Sequence, residues 1–218
     1  MNFIITRPEH DYTTRYISYW SKKIIELAKN KNISVCDLNK NKANKKELIG
    51  RIKKLNPEFV MLNGHGDDNL IKGHDNEVLI QTNNNEQVLE SRITYSLSCN
   101  SAKKLGPKVV KKEKTTTFIG YQDEFIFVFN RECISNPLND KSAEPFMEAS
   151  NQIAVSLFKN HSTGESCERS KKIFENNYYK LLSSDSTENN LLSAQCLWWN
   201  MNNQVCLGNK DKKIIGIQ

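Results

Sequence analysis

Hydrophobic residues follow two periods along the chain, and their alternation predicts strands separated by helices. Steps of three and four residues, as from Tyr16 to Trp20 and Ile24, predict amphipathic helices. Short apolar runs predict strands at 3–6, 33–38, 59–62, 93–99 and 116–120. The helical period recurs at 16–28, 44–55, 145–157, 162–181 and 191–199. A closing strand or hairpin is predicted from 204–207 with 213–217.

This order of elements predicts an α/β fold. Strands alternating with helices form a mainly parallel central sheet with helices on both faces, because each crossover returns to the same strand direction. The chain has 218 residues, which suits one domain with additions. We therefore expect a single domain over residues 1–218.

Composition and charge narrow the classes of function. The net charge is +6, but the lysines are spread over predicted helix faces, so a solvated surface is expected and direct nucleic-acid binding is not. No apolar run approaches the roughly 20 residues of a membrane span, and the N-terminus lacks the pattern of a signal peptide. These features predict a cytoplasmic protein without membrane attachment.

The six cysteines point to thiol chemistry more than to metal binding. They form no CxxC pairs and have no histidines at zinc-ligand spacing, so no metal site and no cofactor is expected. Most are expected to be free thiols in the core, and Cys99 is the candidate nucleophile.

Two predicted strands end close to reactive side chains. The run Phe59 to Leu62 is followed by Asn-Gly-His65-Gly66, and the run from Ile93 ends at Cys99. A helix is expected to begin at Asn100, which places Cys99 at a strand-to-helix turn. In an open α/β sheet, ligands bind outside the carboxyl ends of the strands. A Cys/His pair is therefore predicted at that edge.

Three further histidines are weighed against His65. His74 lies in the polar stretch 67–90, which is predicted to form a small hairpin and loop over the site, and it is the main rival. His65 is preferred because the end of a strand is more rigid than a polar loop. His10 and His161 lie near turns and are expected at the surface.

The order of these motifs resembles the clan CD cysteine peptidases, which share the caspase-haemoglobinase fold. The similar blocks are LNGHGDD (62–68), YSLSCNSAKKLG (95–106), FIGYQD (118–123) and the helical stretch 145–178, and they are most similar to the CHAT and gingipain-like branch. The resemblance implies a caspase-like three-layer sandwich. The chain departs from caspases, which have QAC where this chain has SLSC, and from metacaspases, which carry an acid at the position of Leu97.

The resemblance also implies roles for individual residues. Cys99 would be the nucleophile, His65 the general acid/base, and the backbone N–H of Gly66 with that of Cys99 would hold the oxyanion. No third member of a triad is implied. Asp123 and Glu124, beyond the fifth strand, are candidates for a pocket that accepts a basic side chain, and Ser98 for a position that the substrate approaches closely.

The implied function is a cysteine endopeptidase that acts on protein substrates under the control of a regulatory protein partner. A catalytic Cys99 would also label faster than the other five cysteines. The alternative is a catalytically silent interaction module of the same fold. A nucleotide-binding protein is disfavoured because no glycine-rich phosphate loop follows the first strand.

Overall fold

Each predicted apolar run forms a strand. The computed structural model of the chain describes residues 1–183 and 188–214, without the side chains of residues 188 and 189. The strands are β1 Asn2–Arg7, β2 Ser34–Asn39, β3 Phe59–Asn63, β4 Gly66–Asp67, β5 Leu70–Lys72, β6 Val78–Gln81, β7 Ile93–Leu97, β8 Thr117–Tyr121 and β9 Gln204–Gly208. The helices are α1 Tyr12–Trp20, α2 Lys22–Asn30, α3 Lys45–Leu55, α4 Leu105–Val110, α5 Glu144–Phe158, α6 Thr163–Ser183 and α7 Glu188–Asn203.

Six of these strands form the central sheet, in the order β2-β1-β3-β7-β8-β9. The first five run parallel, and β9 pairs antiparallel with β8 at one edge. The prediction of an α/β fold with a mainly parallel sheet is confirmed. A second, antiparallel sheet of β4, β5 and β6 forms the hairpin region expected within 67–90.

Successive side chains of the central strands divide between two hydrophobic cores. Phe3 and Phe59 point into the core built with α1, α2, α5, α6 and α7. Ile4 and Val60 point into the opposite core, built with α3, α4 and the small sheet. This division follows from the two-residue period of a strand. The result is consistent with a three-layer sandwich of helices, sheet and helices. Among the described residues, no helix combines the length and apolar character needed to cross a membrane.

The predicted helix over 16–28 is two helices, α1 and α2, which meet at Ser21. The Ser21 hydroxyl donates to the carbonyl of Ile17, 2.7 Å away, and such bonding to the residue four positions back bends helices. The same hydroxyl accepts a hydrogen bond from the Asn63 side chain, at 3.0 Å. This polar contact at the helix junction is not visible in the apolar pattern.

The helix expected to begin at Asn100 was wrongly placed. Strand β7 ends at Leu97, residues 99–104 form turns, and α4 begins only at Leu105. Asn100 has a positive φ of 56° and donates its N–H to the carbonyl of Asp123, at 3.0 Å. Ala102 likewise donates to Tyr121. The left-handed φ of Asn100 is incompatible with a helix, and the bonds to Tyr121 and Asp123 hold residues 100–102 in turns at the end of β8.

The predicted helix starts after Asn44 and Ser162 are confirmed. Asn44 accepts a hydrogen bond from the Glu47 N–H, and Ser162 and Glu165 form a reciprocal capping box. At the C-terminal end, 204–207 forms β9 as expected. Residues 213 and 214 are not in a strand, and 215–217 lie outside the described residues.

A buried polar network holds the end of β3 in place. The Asn63 side chain donates to the Thr6 carbonyl at 2.8 Å and to the Ser21 hydroxyl at 3.0 Å. The Thr6 hydroxyl, in turn, accepts from the Asn63 backbone N–H at 2.9 Å. Asn63 therefore ties β3 to β1 and to the α1–α2 junction just before the turn that carries His65.

We expect Asn63→Ala to lower the free energy of unfolding by about 1–3 kcal/mol, because buried acceptors on Thr6 and Ser21 lose their donor. Chemical denaturation measures this change. The matched control is Asn41→Ala, at an exposed turn, which should change stability by less than about 0.5 kcal/mol. Equal effects of the two substitutions would contradict this role for the network.

Candidate active site

The parallel pairing of β3 with β7 brings the turns that carry His65 and Cys99 to one edge of the sheet. Asn63 lies beside Leu97 in the register of the two strands. The Gly64 N–H then donates to the carbonyl of Leu97, at 3.4 Å. The two turns therefore begin side by side, as expected from the sequence.

Glycine is required where the turn after β3 meets Cys99. A Cβ atom added to Gly66 would lie 2.7 Å from the carbonyl oxygen of Cys99 and 3.0 Å from the Cβ of Ser98. Real Cβ atoms rarely approach so closely, so a side chain here would push the turns apart. The backbone of Gly66 therefore packs directly against the Cys99 turn.

Ser98 lies beneath this contact. Its side chain is buried, and its hydroxyl is 2.6 Å from that of Ser96, so the two serines share one face of the chain. In this conformation Ser98 supports Gly66 and has almost no accessible surface. Its assignment to a substrate pocket stays a prediction.

The His65 ring is oriented by Asp11, a residue that the sequence analysis did not identify. His65 Nε2 lies 2.6 Å from Asp11 Oδ2. Asp11 is the N-cap of α1, where its Oδ1 accepts the Thr14 N–H at 2.8 Å. The two carboxylate oxygens thus have separate partners, and the cap fixes the carboxylate for the histidine.

Asp11 is held in its charged form. Burial acts to raise the pKa of its carboxyl group, but the hydrogen bonds from the Thr14 N–H and from His65 outweigh burial and leave the pKa below its ordinary value. The carboxylate is therefore available to accept the Nε2 proton of His65. This arrangement leaves Nδ1 as the ring nitrogen that is free to exchange a proton.

Cys99 is a partly buried thiol in this conformation. Burial raises its pKa above the ordinary value; the N–H of Phe125 partly offsets this, and the negative charge of Glu124 adds to it. The thiol therefore stays protonated at neutral pH. The raised pKa of Cys99 opposes the rapid labelling that is expected of a catalytic thiol.

The segment after β8 covers the Cys99 turn, as its position in the sequence suggests. Asp123 is partly exposed and Glu124 exposed. The Glu124 carbonyl accepts a hydrogen bond from the Trp199 indole of α7, at 3.0 Å. Asn200 of α7 holds the next stretch, since its side chain accepts the N–H of Ile126 and donates to the same residue's carbonyl. Helix α7 therefore fastens the segment that carries both candidate pocket acids.

A row of aromatic side chains anchors the same segment from inside. Phe125, Phe127 and Phe129 occupy every second position of the segment, and neighbouring rings of the row lie 5.8 to 6.0 Å apart. The row packs against Tyr121 at one end and Tyr16 at the other. Moving the segment off Cys99 would require this row to shift.

His10 lies beside both His65 and His74, which corrects the expectation of a surface position for His10. The His10 side chain is only 10% exposed, and its ring centroid is 5.8 Å from that of His65 and 5.5 Å from that of His74. His74 Nδ1 accepts the Glu9 N–H at 3.2 Å. His161, by contrast, lies partly exposed near Glu165. Sequence spacing gave no signal for the cluster, because long-range packing assembles it.

Comparison with known proteins finds no protein-family model and no curated protein that matches this chain. A cysteine, a histidine oriented by a carboxylate, and a glycine backbone lie on adjacent turns at the carboxyl edge of a parallel sheet. Such groups can support nucleophilic attack on a carbonyl carbon.

We expect the rate of Cys99 alkylation by iodoacetamide to rise with pH around a midpoint above the ~8.5 of an unperturbed cysteine. Removing a nearby negative charge favours the thiolate, so Glu124→Gln should lower the midpoint. Mass spectrometry of the Cys99 peptide separates this thiol from the other five. The control is Glu26→Gln, on the exposed face of α2. A midpoint below 8.5 in the wild type would contradict this account of the burial of Cys99.

Proposed function

We propose that the protein is a cysteine endopeptidase of the caspase-like fold, with Cys99 as nucleophile and His65 as general acid/base. The observation that carries the proposal is the packing of Gly66 against Cys99. A Cβ at Gly66 would lie 2.7 Å from the Cys99 carbonyl oxygen, so the histidine turn and the cysteine turn are in direct contact. The resemblance of the two motifs to clan CD peptidases supports the same assignment.

The reaction follows from these groups. His65 Nδ1 accepts the thiol proton, and the Cys99 sulfur attacks the carbonyl carbon of the scissile peptide bond. The backbone N–H groups of Gly66 and Cys99 stabilise the oxyanion of the tetrahedral intermediate. His65 then donates the proton to the leaving amine, and an acyl-enzyme remains on Cys99. Water hydrolyses this thioester and regenerates the free thiol.

Asp11 is a positioning residue in this scheme. Its carboxylate holds the proton on His65 Nε2, so that Nδ1 keeps the lone pair that accepts the thiol proton. It also stabilises the imidazolium that forms when that proton is transferred. The clan resemblance implies only a dyad, and Asp11 adds a third group to it.

The raised pKa of Cys99 supports a resting form that needs activation. Residues 122–126 lie over the cysteine turn, and the acids among them disfavour the thiolate. A regulatory partner that shifts this segment would lower the pKa of Cys99 and open the site to a peptide. This step is where the proposed regulatory protein partner would act.

A second candidate is a catalytically silent interaction module of the same fold. The same observation favours it, because a buried and protonated thiol is also what a structural cysteine displays. The two candidates differ in one respect, which is whether any condition makes Cys99 form an acyl-enzyme.

We expect Cys99→Ala to abolish peptide cleavage, and His65→Ala to reduce it by about 10²–10⁴-fold through the loss of acid/base catalysis. Hydrolysis of a fluorogenic peptide library, with and without candidate activating proteins, measures both rates. His161→Ala is the matched control, since His161 lies away from the site, and should keep the wild-type rate. Full activity after either of the first two changes would exclude the dyad.

Asp11→Asn tests the positioning role separately from helix capping. Asparagine still caps a helix, so the melting temperature should stay within a few degrees of the wild type. The rate of cleavage should fall by about 10²-fold or more, because an amide does not hold the correct tautomer of His65. A parallel loss of stability and activity would show that Asp11 acts only as a cap.

If Asp123 lines the pocket for the residue before the scissile bond, cleavage should prefer Arg or Lys there, because a buried basic side chain needs a countercharge. Asp123→Ala should then reduce the preference for Arg or Lys by about tenfold or more. Cys99 should still react with a small thiol reagent in this variant. Glu124→Ala is the comparison for the neighbouring acid. A preference for small or apolar residues that neither substitution changes would show that these acids form no pocket.

A further inference from the structure

His10 is a buried side chain with unsatisfied polar atoms. Both of its ring nitrogens are inaccessible and lack a hydrogen-bond partner among the described residues, although the side chain is nine-tenths buried. In any neutral tautomer an imidazole has one donor and one acceptor, and leaving both unmatched is costly. A buried histidine with no hydrogen bond at either ring nitrogen calls for an explanation, such as a bound ion.

The atoms nearest to His10 are suitable metal ligands. His10 Nε2 lies 3.4 Å from Asp11 Oδ2, and that oxygen lies 2.6 Å from His65 Nε2. One ligand atom from each of the three residues falls within 4.8 Å of the others. Zn²⁺ binds nitrogen and oxygen at about 2.0–2.2 Å, so two ligands of a tetrahedral ion are separated by about 3.4 Å. The spacing of His10 and Asp11 already matches this value.

We propose that His10, Asp11 and His65 bind a divalent transition metal ion, Zn²⁺ in particular. Two imidazoles and one carboxylate are ligands that suit zinc. The Asp11 and His65 side chains are 38% and 35% exposed, so the ion can enter from solvent and a water molecule can complete its coordination. The ion replaces the proton between Asp11 and His65, and these two ligands separate slightly to admit it.

A neighbouring set of His10, His74 and Asp75 also offers two imidazoles and one carboxylate. The Asp75 side chain is 81% exposed and lies 3.8 Å from His74 Nε2. Asp11 is instead fixed by the Thr14 N–H. Because a fixed ligand loses less conformational entropy on binding, the set with Asp11 and His65 is favoured.

The site has a consequence for catalysis, which rests on the proposed function. A metal ion on His65 Nε2 leaves the remaining ring proton on Nδ1. The neutral imidazole then has no lone pair to accept the thiol proton of Cys99. Bound Zn²⁺ therefore inhibits cleavage reversibly, and release of the ion restores the histidine.

Zn²⁺ affinity tests the site without any substrate. The titration uses a chromophoric chelator as competitor and Cys99→Ala protein, so that the candidate nucleophile does not contribute a ligand. His10→Ala and His65→Ala in this background should each weaken Zn²⁺ binding by about 100-fold or more, since even outer-shell changes cost 10–100-fold. His161→Ala is the control and should bind as its parent does. Circular dichroism verifies that each variant is folded.

The outcomes separate the two ligand sets. Unchanged affinity in both His10→Ala and His65→Ala would overturn the proposed site, as would a thiolate charge-transfer band when Co²⁺ replaces Zn²⁺. Weakening by His74→Ala and Asp75→Asn, with His65→Ala unaffected, would assign the ion to the rival set and overturn ours.

The inhibitory role is tested separately on wild-type protein. Cleavage should fall when Zn²⁺ saturates the site and return when EDTA removes it. Cleavage that persists at saturation would overturn the inhibitory role. If Zn²⁺ binds at this site but no condition gives peptide cleavage, the proposed peptidase function is wrong and the proposed metal site is still supported.

Discussion

The parallel pairing of β3 with β7 is the constraint on which the site depends. It aligns Asn63 with Leu97, so the turns after both strands leave the same edge of the sheet. The absence of a side chain at Gly66 then lets the two turns touch. Buried contacts of Asn63 hold the end of β3 against β1, and these contacts fix where the turn that carries His65 begins. The pairing of the strands therefore determines where the two turns with the candidate reactive groups lie.

Asp11 links this edge to the first helix. Its two oxygens serve different partners, one capping α1 and the other orienting His65. Because the cap restrains the carboxylate, little further ordering is needed to hold the histidine. The same fixed carboxylate lies next to His10, so one residue joins the proposed catalytic group and the proposed metal site. Competition between a proton and a metal ion at Asp11 would connect the two functions.

Local pattern was enough to predict the strands, most helices and the placement of the turns that carry His65 and Cys99 at one edge of the sheet, because strand period and strand order are encoded in short stretches. The start of α4 was not predictable, since Asn100 and Ala102 bond to a segment about 20 residues later. Asp11 lies 54 residues from His65 and was not predicted, because only the packing of α1 against the turn after β3 brings the two side chains together. The burial of His10 likewise depends on packing between distant turns, which no spacing rule describes.

Covalent trapping tests most directly whether Cys99 and His65 form a catalytic dyad. Wild-type protein is incubated with peptidyl acyloxymethyl ketones, with and without candidate activating proteins, and intact mass and peptide mapping locate the adduct. A catalytic dyad should give a single adduct on Cys99 that His65→Ala suppresses and that a non-peptidyl analogue does not form. Adducts spread over all six cysteines in proportion to their exposure, unaffected by His65→Ala, would contradict it.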